Sequence, residues 1–434
     1  MPRARAEACT TLLPLAGEGC SAIPGLDPGR GRTRAAASGL DFEREVRAFD
    51  AFGARTRFFD DENIPYLVNE FWTARQRRGH ALHEISYRAC FKAELPEFFI
   101  SRLTAPGEAV CDPFMGRGTT LVQAALQERR PVGADINPLS VMLTRPRLAP
   151  PSLSEIERRL AEIPWDEGEI ERDDLLVFYH PETLRQLCAL RRRLAQRTSA
   201  GVDLDPVDDW IRMVALNRLT GHSSGFFSVY SLPPNQAVSI EAQRKINEKR
   251  KQTPPLRDVP RLIARKSRKL LSQGAPPPHP AGLLGVGDAW RLDFVADASV
   301  ALVVTSPPFL DVVQYASDNW LRSWFAGIDV DAVKISTHRS EAEWTRMVRA
   351  CLEEFARIVA PGGHVAFEVG EVRGGRLLLE RLVWRAAEGL PFDRLFVLVN
   401  EQEFTKTSNC WGVENNSKGT NSNRIVVMRR QAAS

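Results

Sequence analysis

Apolar residues recur every three or four positions, with charged residues between them, in Ser152–Ile163, Pro181–Arg197 and Asp208–His222, and this spacing predicts helices. The regions on either side read differently. Upstream, ELPEFFISRL predicts a helix begun near Pro96, a residue tolerated in a first turn. Ala105-Pro106-Gly107 is a turn, Glu108–Asp112 a short strand, Thr119–Gln127 a helix and Pro131–Asp135 a second strand. Downstream of Leu283, LLGVGDAW and ALVVTSPPF each read as a strand with a turn. WTRMVRACLEEFARIVAPGGHVAFEVG reads as a helix, a Pro-Gly-Gly turn and a strand, and RLLLERLVWRAAEGL as a further helix. FDRLFVLVN and NRIVVMRR read as the arms of a terminal hairpin.

A β-α-β unit implies a parallel strand pair with a right-handed crossover. The expected architecture is one doubly wound α/β domain, built from 80–145 and 283–430 and interrupted by a mainly helical insertion. The expected divisions are a disordered leader over 1–38, an N-terminal extension with the first half of the α/β domain over 39–150, the insertion over 151–282, and the second half over 283–434. The apolar stretch Leu12–Leu15 in the leader is too short and broken for a signal peptide. Gly39–Arg77 mixes polar and aromatic residues and predicts no particular element.

Composition adds little by itself. The net charge of +4 is small, so only local clusters bear on nucleic acid. The seven cysteines are scattered, with no CxxC pair and no zinc-ligand spacing, which reads as reduced, inert thiols of a cytoplasmic protein and implies no metal. No run approaches the ~18–20 apolar residues of a membrane span.

The stretch from Cys111 to Thr120, CDPFMGRGTT, lies between a strand and a helix. Gly116 and Gly118 let the backbone turn sharply and approach a ligand, and the helix beyond them presents free N–H groups. Asp135 ends the next strand, where an acid grips ribose hydroxyls. Leu121 stands where a dinucleotide loop needs its third glycine, and no lysine follows to grip phosphate. S-adenosylmethionine, which carries no phosphate, suits the shorter G-x-G; a purely structural turn is the alternative.

Ser306-Pro307-Pro308-Phe309 ends another strand at the same crevice edge. The prolines hold the corner rigid, Phe309 offers a face for stacking, and the Ser306 hydroxyl and Pro307 carbonyl offer acceptors to an amine on a planar base. Such an amine is a poor nucleophile because its lone pair is delocalised. Fixed acceptors favour a pyramidal nitrogen and stabilise the positive charge that grows on it during methyl transfer. A strand that simply ends in Pro-Pro is the alternative.

CDPFMGRGTT together with TSPPF strongly resembles the amino-methylating DNA methyltransferases, which modify cytosine N4 or adenine N6. His83, Tyr87, Phe91, Lys92 and Pro96 resemble the family segment that walls the methionine end of the cofactor, and Gly287-Asp288-Ala289 the turn whose acid meets its adenine amine. The resemblance implies a Rossmann-like class I methyltransferase fold, mostly parallel with a terminal antiparallel hairpin. It implies S-adenosyl-L-methionine as cofactor, held by Tyr87, Phe91, Asp112, Pro113, Phe114, Gly116, Gly118, Thr119, Thr120, Asp135, Asn137 and Asp288, with Ser306–Phe309 catalytic. DNA is the implied partner, with a cognate restriction endonuclease as a possible companion. Serine at the head of the tetrapeptide is more typical of the cytosine-N4 enzymes. An adenine-N6 or RNA methyltransferase is the first alternative, and a non-catalytic nucleic-acid-binding regulator the alternative of another class. The cofactor half precedes the catalytic half, the reverse of many Ser-Pro-Pro enzymes, and this order makes the insertion the expected target-recognition region.

A base must be flipped out or single-stranded to be reached, so a positive surface is expected to hold the backbone. Candidates in the basic stretch are Arg244, Lys245, Lys249, Arg250, Lys251, Arg265 and Lys266. Lys406 and Lys418 lie in a loop rich in Asn, Thr and Ser between the hairpin arms. A solvated charged face is the alternative for both.

Overall fold

The computed structural model describes residues 12–14, 39–73, 79–88, 90–198, 204–232, 236–310, 315–333, 340–372, 376–401 and 422–432. The chain begins with β1 (Leu12–Pro14), α1 (Gly39–Arg47), β2 (Arg57–Asp61), β3 (Ile64–Asn69), α2 (Glu94–Leu103), β4 (Ala109–Asp112), α3 (Thr119–Leu126), β5 (Arg130–Asp135) and α4 (Pro138–Leu148). The helical stretch holds α5 (Leu153–Ala161), α6 (Pro181–Thr198), α7 (Pro206–Leu216), α8 (Ile240–Arg250) and α9 (Val259–Leu270). The remainder is β6 (Leu283–Val286), β7 (Val300–Thr305), α10 (Tyr315–Ala326), α11 (Glu341–Ile358), β8 (Val359–Val369), β9 (Glu371–Val372), β10 (Leu377–Leu378), α12 (Leu379–Ala386), β11 (Phe392–Glu401) and β12 (Ser422–Arg430).

The main sheet has the order β1-β6-β5-β4-β7-β8-β12-β11-β3-β2. Strands β6, β5, β4, β7 and β8 are parallel, and β12 runs antiparallel between β8 and β11. This is the expected mostly parallel sheet with its antiparallel hairpin. The two halves of the chain interleave at the centre, where β4 pairs directly with β7 through Val110↔Leu302 and Cys111↔Val303. Both strands therefore end at one edge. There Thr305 Oγ1 donates to Asp112 Oδ1 at 2.6 Å, a buried bond across 193 residues of sequence.

Four features differ from the sequence expectations. Leu12–Pro14, within the expected disordered leader, pairs antiparallel with Leu283–Gly285 at the outer side of β6. Gly39–Arg77 contributes α1, β2 and β3, and β3 extends the sheet beyond β11 in parallel register. The Pro-Gly-Gly segment does not separate helix from strand but forms a bulge within β8, with Gly362 at φ +81°. The register against β7 shifts between Val300 and Leu302, and Gly363 lies so close that a Cβ would stand 2.8 Å from the Ala301 carbonyl oxygen. Finally, the inserted helices are not a body apart. Ile156, Leu160, Leu187, Trp210 and Ile263 share one core with Leu121 and Val122 of α3, Leu139 and Leu143 of α4, and Leu321 of α10. Arg145 of α4 donates to Asp209 of α7 at 2.6 Å in the same interior.

Glycine at 118 is a packing requirement. Its φ is +75°, and a Cβ there would overlap the Thr144 side chain, so only glycine lets α3 start this close to α4. Gly118→Ala is expected to cost about 3 kcal/mol, from left-handed strain plus overpacking, read as a lower midpoint in chemical denaturation.

Burial pushes the Asp112 carboxyl up to about 7, opposed by hydrogen bonds from Thr305 and the Phe114 N–H, and reinforced by the Asp135 carboxylate nearby. A carboxyl raised in the fold contributes stability that is whole below its ordinary 3.8 and is lost as pH climbs through about 7. The melting temperature of the native chain should therefore carry a component that falls between acid and mildly alkaline pH. Asp112→Asn, which has no proton to lose, should lack that component, and parallel falls in both proteins would contradict this assignment.

Candidate active site

After Asp112 the chain turns through Pro113–Arg117 with Gly116 at φ +49°. The Gly116 N–H donates to Asp135 Oδ2 at 2.9 Å, and the Asn137 N–H to Asp135 Oδ1 at 2.9 Å. Asn137 caps α4 by accepting from the Leu139 N–H at 3.1 Å. Asp135 is thus anchored by backbone donors at the carboxyl end of β5. Its carboxyl is raised by burial, and those two N–H groups oppose the rise.

The Tyr87 ring lies over the glycine, 3.7 Å from where a Gly116 Cβ would stand. A lattice of bonds holds the segment that carries it. Asn217, at the end of α7, accepts from the Ser86 N–H at 3.0 Å and donates to the Glu84 carbonyl at 3.2 Å. Arg322 of α10 donates to the Ser86 carbonyl at 2.8 Å. Arg117 donates to the carbonyls of Ile85 at 2.9 Å and Phe91 at 3.1 Å. His83 is buried against Gln123, at 3.0 Å, and burial lowers it to about 3, so it stands as a neutral structural ring.

These parts surround a cleft of about 820 Å³. Of the residues expected to hold a cofactor, Tyr87, Phe91, Asp112, Pro113, Phe114, Gly116, Thr119, Asp135, Asn137 and Asp288 line it. Gly118 and Thr120 do not. The first is committed to helix packing, and the Thr120 hydroxyl, fully buried, donates to the Val304 carbonyl at 3.2 Å. Trp290, which sequence reasoning passed over, adds an aromatic wall beside Asp288.

Ser306 and Pro308 line the same cleft as the Gly116 loop. Pro307 is buried, and Phe309 packs half-buried against the core beneath α11, so the expected stacking face lies outside the lining. Trp344 Nε1 donates to the Pro308 carbonyl at 2.9 Å and fixes the corner. The Ser306 hydroxyl donates to Glu368 Oε2, and Asn423 Nδ2 donates to the other oxygen at 3.0 Å. Burial raises the Glu368 carboxyl, and these two bonds oppose the rise. With its proton engaged by Glu368, Ser306 presents lone pairs as an acceptor. Sequence reasoning missed Glu368; the available signal was an acid closing a run of buried apolar strand residues.

The lining discriminates between ligands. Asp112 is buried and Asp135 and Asp288 are half-buried, and desolvation raises all three carboxyls. No lysine, arginine or histidine stands among the described lining residues, so a phosphate would find no cationic partner there. The site fits a ligand that offers hydroxyl and amine donors and a cationic centre, as S-adenosylmethionine does.

The expected basic surface divides. Arg244, Lys245, Lys249, Arg250 and Lys251 are exposed on and just after α8, with the Arg250 guanidinium 3.7 Å over the Tyr230 ring. Arg265 is exposed on α9 and donates to the Ser224 carbonyl at 3.3 Å. Lys266 is a correction: it is buried on the inner face of α9 and pairs with Glu84 at 3.1 Å, with burial lowering its ammonium to about 8. Lys406 and Lys418 lie outside the described residues.

A family model for DNA methylase, of the N6/N4 type, matches residues 55–144. A type II methyltransferase of Methanocaldococcus jannaschii is 30% identical over 89 residues, 20% of this chain and 16% of the relative, so the chain spans under a fifth of that protein's length. Among solved structures, TrmN from Thermus thermophilus matches over 79% of this chain and 50% of its own, at 14% identity and a TM-score of 0.30. A candidate DNA modification methylase from the same organism, complexed with S-adenosyl-L-methionine, matches over 34% of this chain and 55% of its own, at 25% identity and a TM-score of 0.20. The matched segment holds β3, the Tyr87 wall, the Gly116 loop and Asp135, and over that segment the chain is similar to the N6/N4 DNA methylases.

Proposed function

We propose that the chain is an S-adenosylmethionine-dependent DNA methyltransferase acting on an exocyclic base amine, cytosine N4 ahead of adenine N6. The observation that carries this reading is the shared cleft, which Ser306, held as an acceptor by Glu368, lines together with the Gly116 loop. The carboxylates of Asp135 and Asp288 would hold the cofactor's donor groups, with Tyr87 and Phe91 as aromatic walls of its site. When bound, the cofactor supplies an electrophilic methyl group on a sulfonium. Ser306 Oγ accepts a hydrogen bond from the target amine and steadies the positive charge that grows there. The amine gains a carbon and must release one proton. Ser306 and Glu368 form a path for it, and a carboxyl raised by burial is suited to receive it. The cytosine preference rests on serine at the head of the tetrapeptide.

DNA is the inferred partner, with the exposed cations of α8 as the backbone contact. No helix among the described residues is long and apolar enough to cross a membrane, and the inferred setting is the cytoplasm.

Nucleoside mass spectrometry of DNA from cells expressing the chain tests the reading. 4-Methylcytosine is the expected product, 6-methyladenine would reassign the base, and neither would reject the proposal. Ser306→Ala should lower turnover by about 10²–10³-fold with cofactor affinity unchanged, and Glu368→Gln should lower it by at least about tenfold. Replacing Arg244, Lys245 and Lys249 with alanine should weaken duplex binding. It should also flatten the dependence of log affinity on log salt by roughly 0.9 per lost phosphate contact; an unchanged slope would move the interface elsewhere.

A further inference from the structure

Strand β2 ends the sheet, and among the described residues no strand pairs with its outer side. Its register against β3 runs from Arg57↔Val68 to Asp61↔Ile64 and encloses the turn Glu62-Asn63, with φ of 50° and 62°. A two-residue hairpin turn of this left-handed kind makes the flanking pair a hydrogen-bonded one. The alternation then points the N–H and C=O groups of Arg57, Phe59 and Asp61 toward β3 and those of Phe58 and Asp60 outward. Phe58 is 47% and Phe59 46% exposed, and Phe52, in the loop leading into the strand, is 39% exposed. The strand RFFDD is short and carries the charges of Arg57, Asp60 and Asp61, which limit non-specific pairing, but it has no proline, no lysine and no bulge to bar a partner whose charges match.

We propose that β2 pairs antiparallel with β2 of a second copy of the chain. Charge selects the register. With Phe58 and Asp60 as the hydrogen-bonding positions, three symmetric pairings fit the strand. A dyad at Phe58 sets Arg57 against Phe59, and a dyad at Asp60 sets two carboxylates face to face. A dyad at Phe59 sets the two Phe59 rings across the axis and places Arg57 of each copy opposite Asp61 of the other. Within each chain Arg57 already pairs with Glu401, and Asp61 with Arg381. The dyad therefore joins four charges of alternating sign into one row on each side. Phe59 is braced for the contact, stacked on Tyr66 at 5.0 Å and 6°. Five-residue strands cover less than the ~1,200–2,000 Å² of a standard interface, so the association is weak, with a Kd on the order of tens of micromolar. The pairing is independent of the methylation reading.

Sedimentation velocity of the purified chain from about 5 to about 200 µM, a range that brackets a weak contact, should show a monomer–dimer equilibrium. Asp60→Pro removes an outward N–H and leaves the ladder to β3 intact. It should abolish the dimer without lowering the melting temperature. Phe59→Cys should cross-link across the dyad under mild oxidation beyond the background of the parent chain, because opposed non-hydrogen-bonded positions lie about 4.5 Å apart. Phe58→Cys should not, its counterpart being more than about 7 Å away. A chain that stays monomeric throughout, as it would with the edge covered by its own segment or awaiting a different protein, overturns the proposal. So does a dimer indifferent to Asp60→Pro, or equal cross-linking from both cysteine variants.

Discussion

The contact between β4 and β7 is the constraint on which the rest depends. Two parallel strands from opposite ends of the chain lie side by side, and the bond from Thr305 to Asp112 pins their tips together. Because both strands stop at one edge, the turn after one becomes the glycine loop and the corner after the other becomes the Ser-Pro-Pro tip. That Ser306 and Gly116 line one cleft follows from that adjacency. The helices and outer strands brace it: Trp344 holds the corner, Gln123 and Arg147 fix the His83 segment, and β8 delivers Glu368 beneath the serine.

The inserted helices do more than separate the two halves. Asn217 at the end of α7 and Arg322 in α10 grip the same short segment from two directions, and that segment carries the Tyr87 lid over the glycine. Arg88 of the segment pairs with Asp318 of α10 at 2.8 Å, and the Asp318 carbonyl accepts from the Ala237 N–H at 2.9 Å. The region expected to meet DNA and the wall expected to meet cofactor are therefore mechanically one piece. On the proposed reading, a shift of α7 or α10 would reach the cleft through these bonds.

What was legible in the sequence was what backbone chemistry makes rare. Paired glycines between strand and helix, and paired prolines after an apolar run, admit few conformations, so the loop at Gly116 and the corner at Ser306 were readable. Helix α4 was silent because it is buried on nearly every side, including Arg147, and contains Pro146, so it shows no clear amphipathic face. Strand β2 was silent because an edge strand exposed on both faces has no alternation to read. Glu368 stood out locally only as an acid in an apolar strand run, and its meeting with Ser306 needed the register of β8 against β7. Lys266 was misjudged because a run of positive charge does not say which of its members turns inward.

The central strand pair also dictates how the chain must fold. Val110 and Leu302 become neighbours only after nearly two hundred intervening residues have been synthesised. Until then one flank of β4 stands open, while the helices between can already collapse on α3 and α4. Such distant pairing is kinetically slow, and an unsatisfied strand flank invites association with other chains. A nascent polypeptide halted before β7 emerges would be a natural client for chaperones, however sound its finished helices.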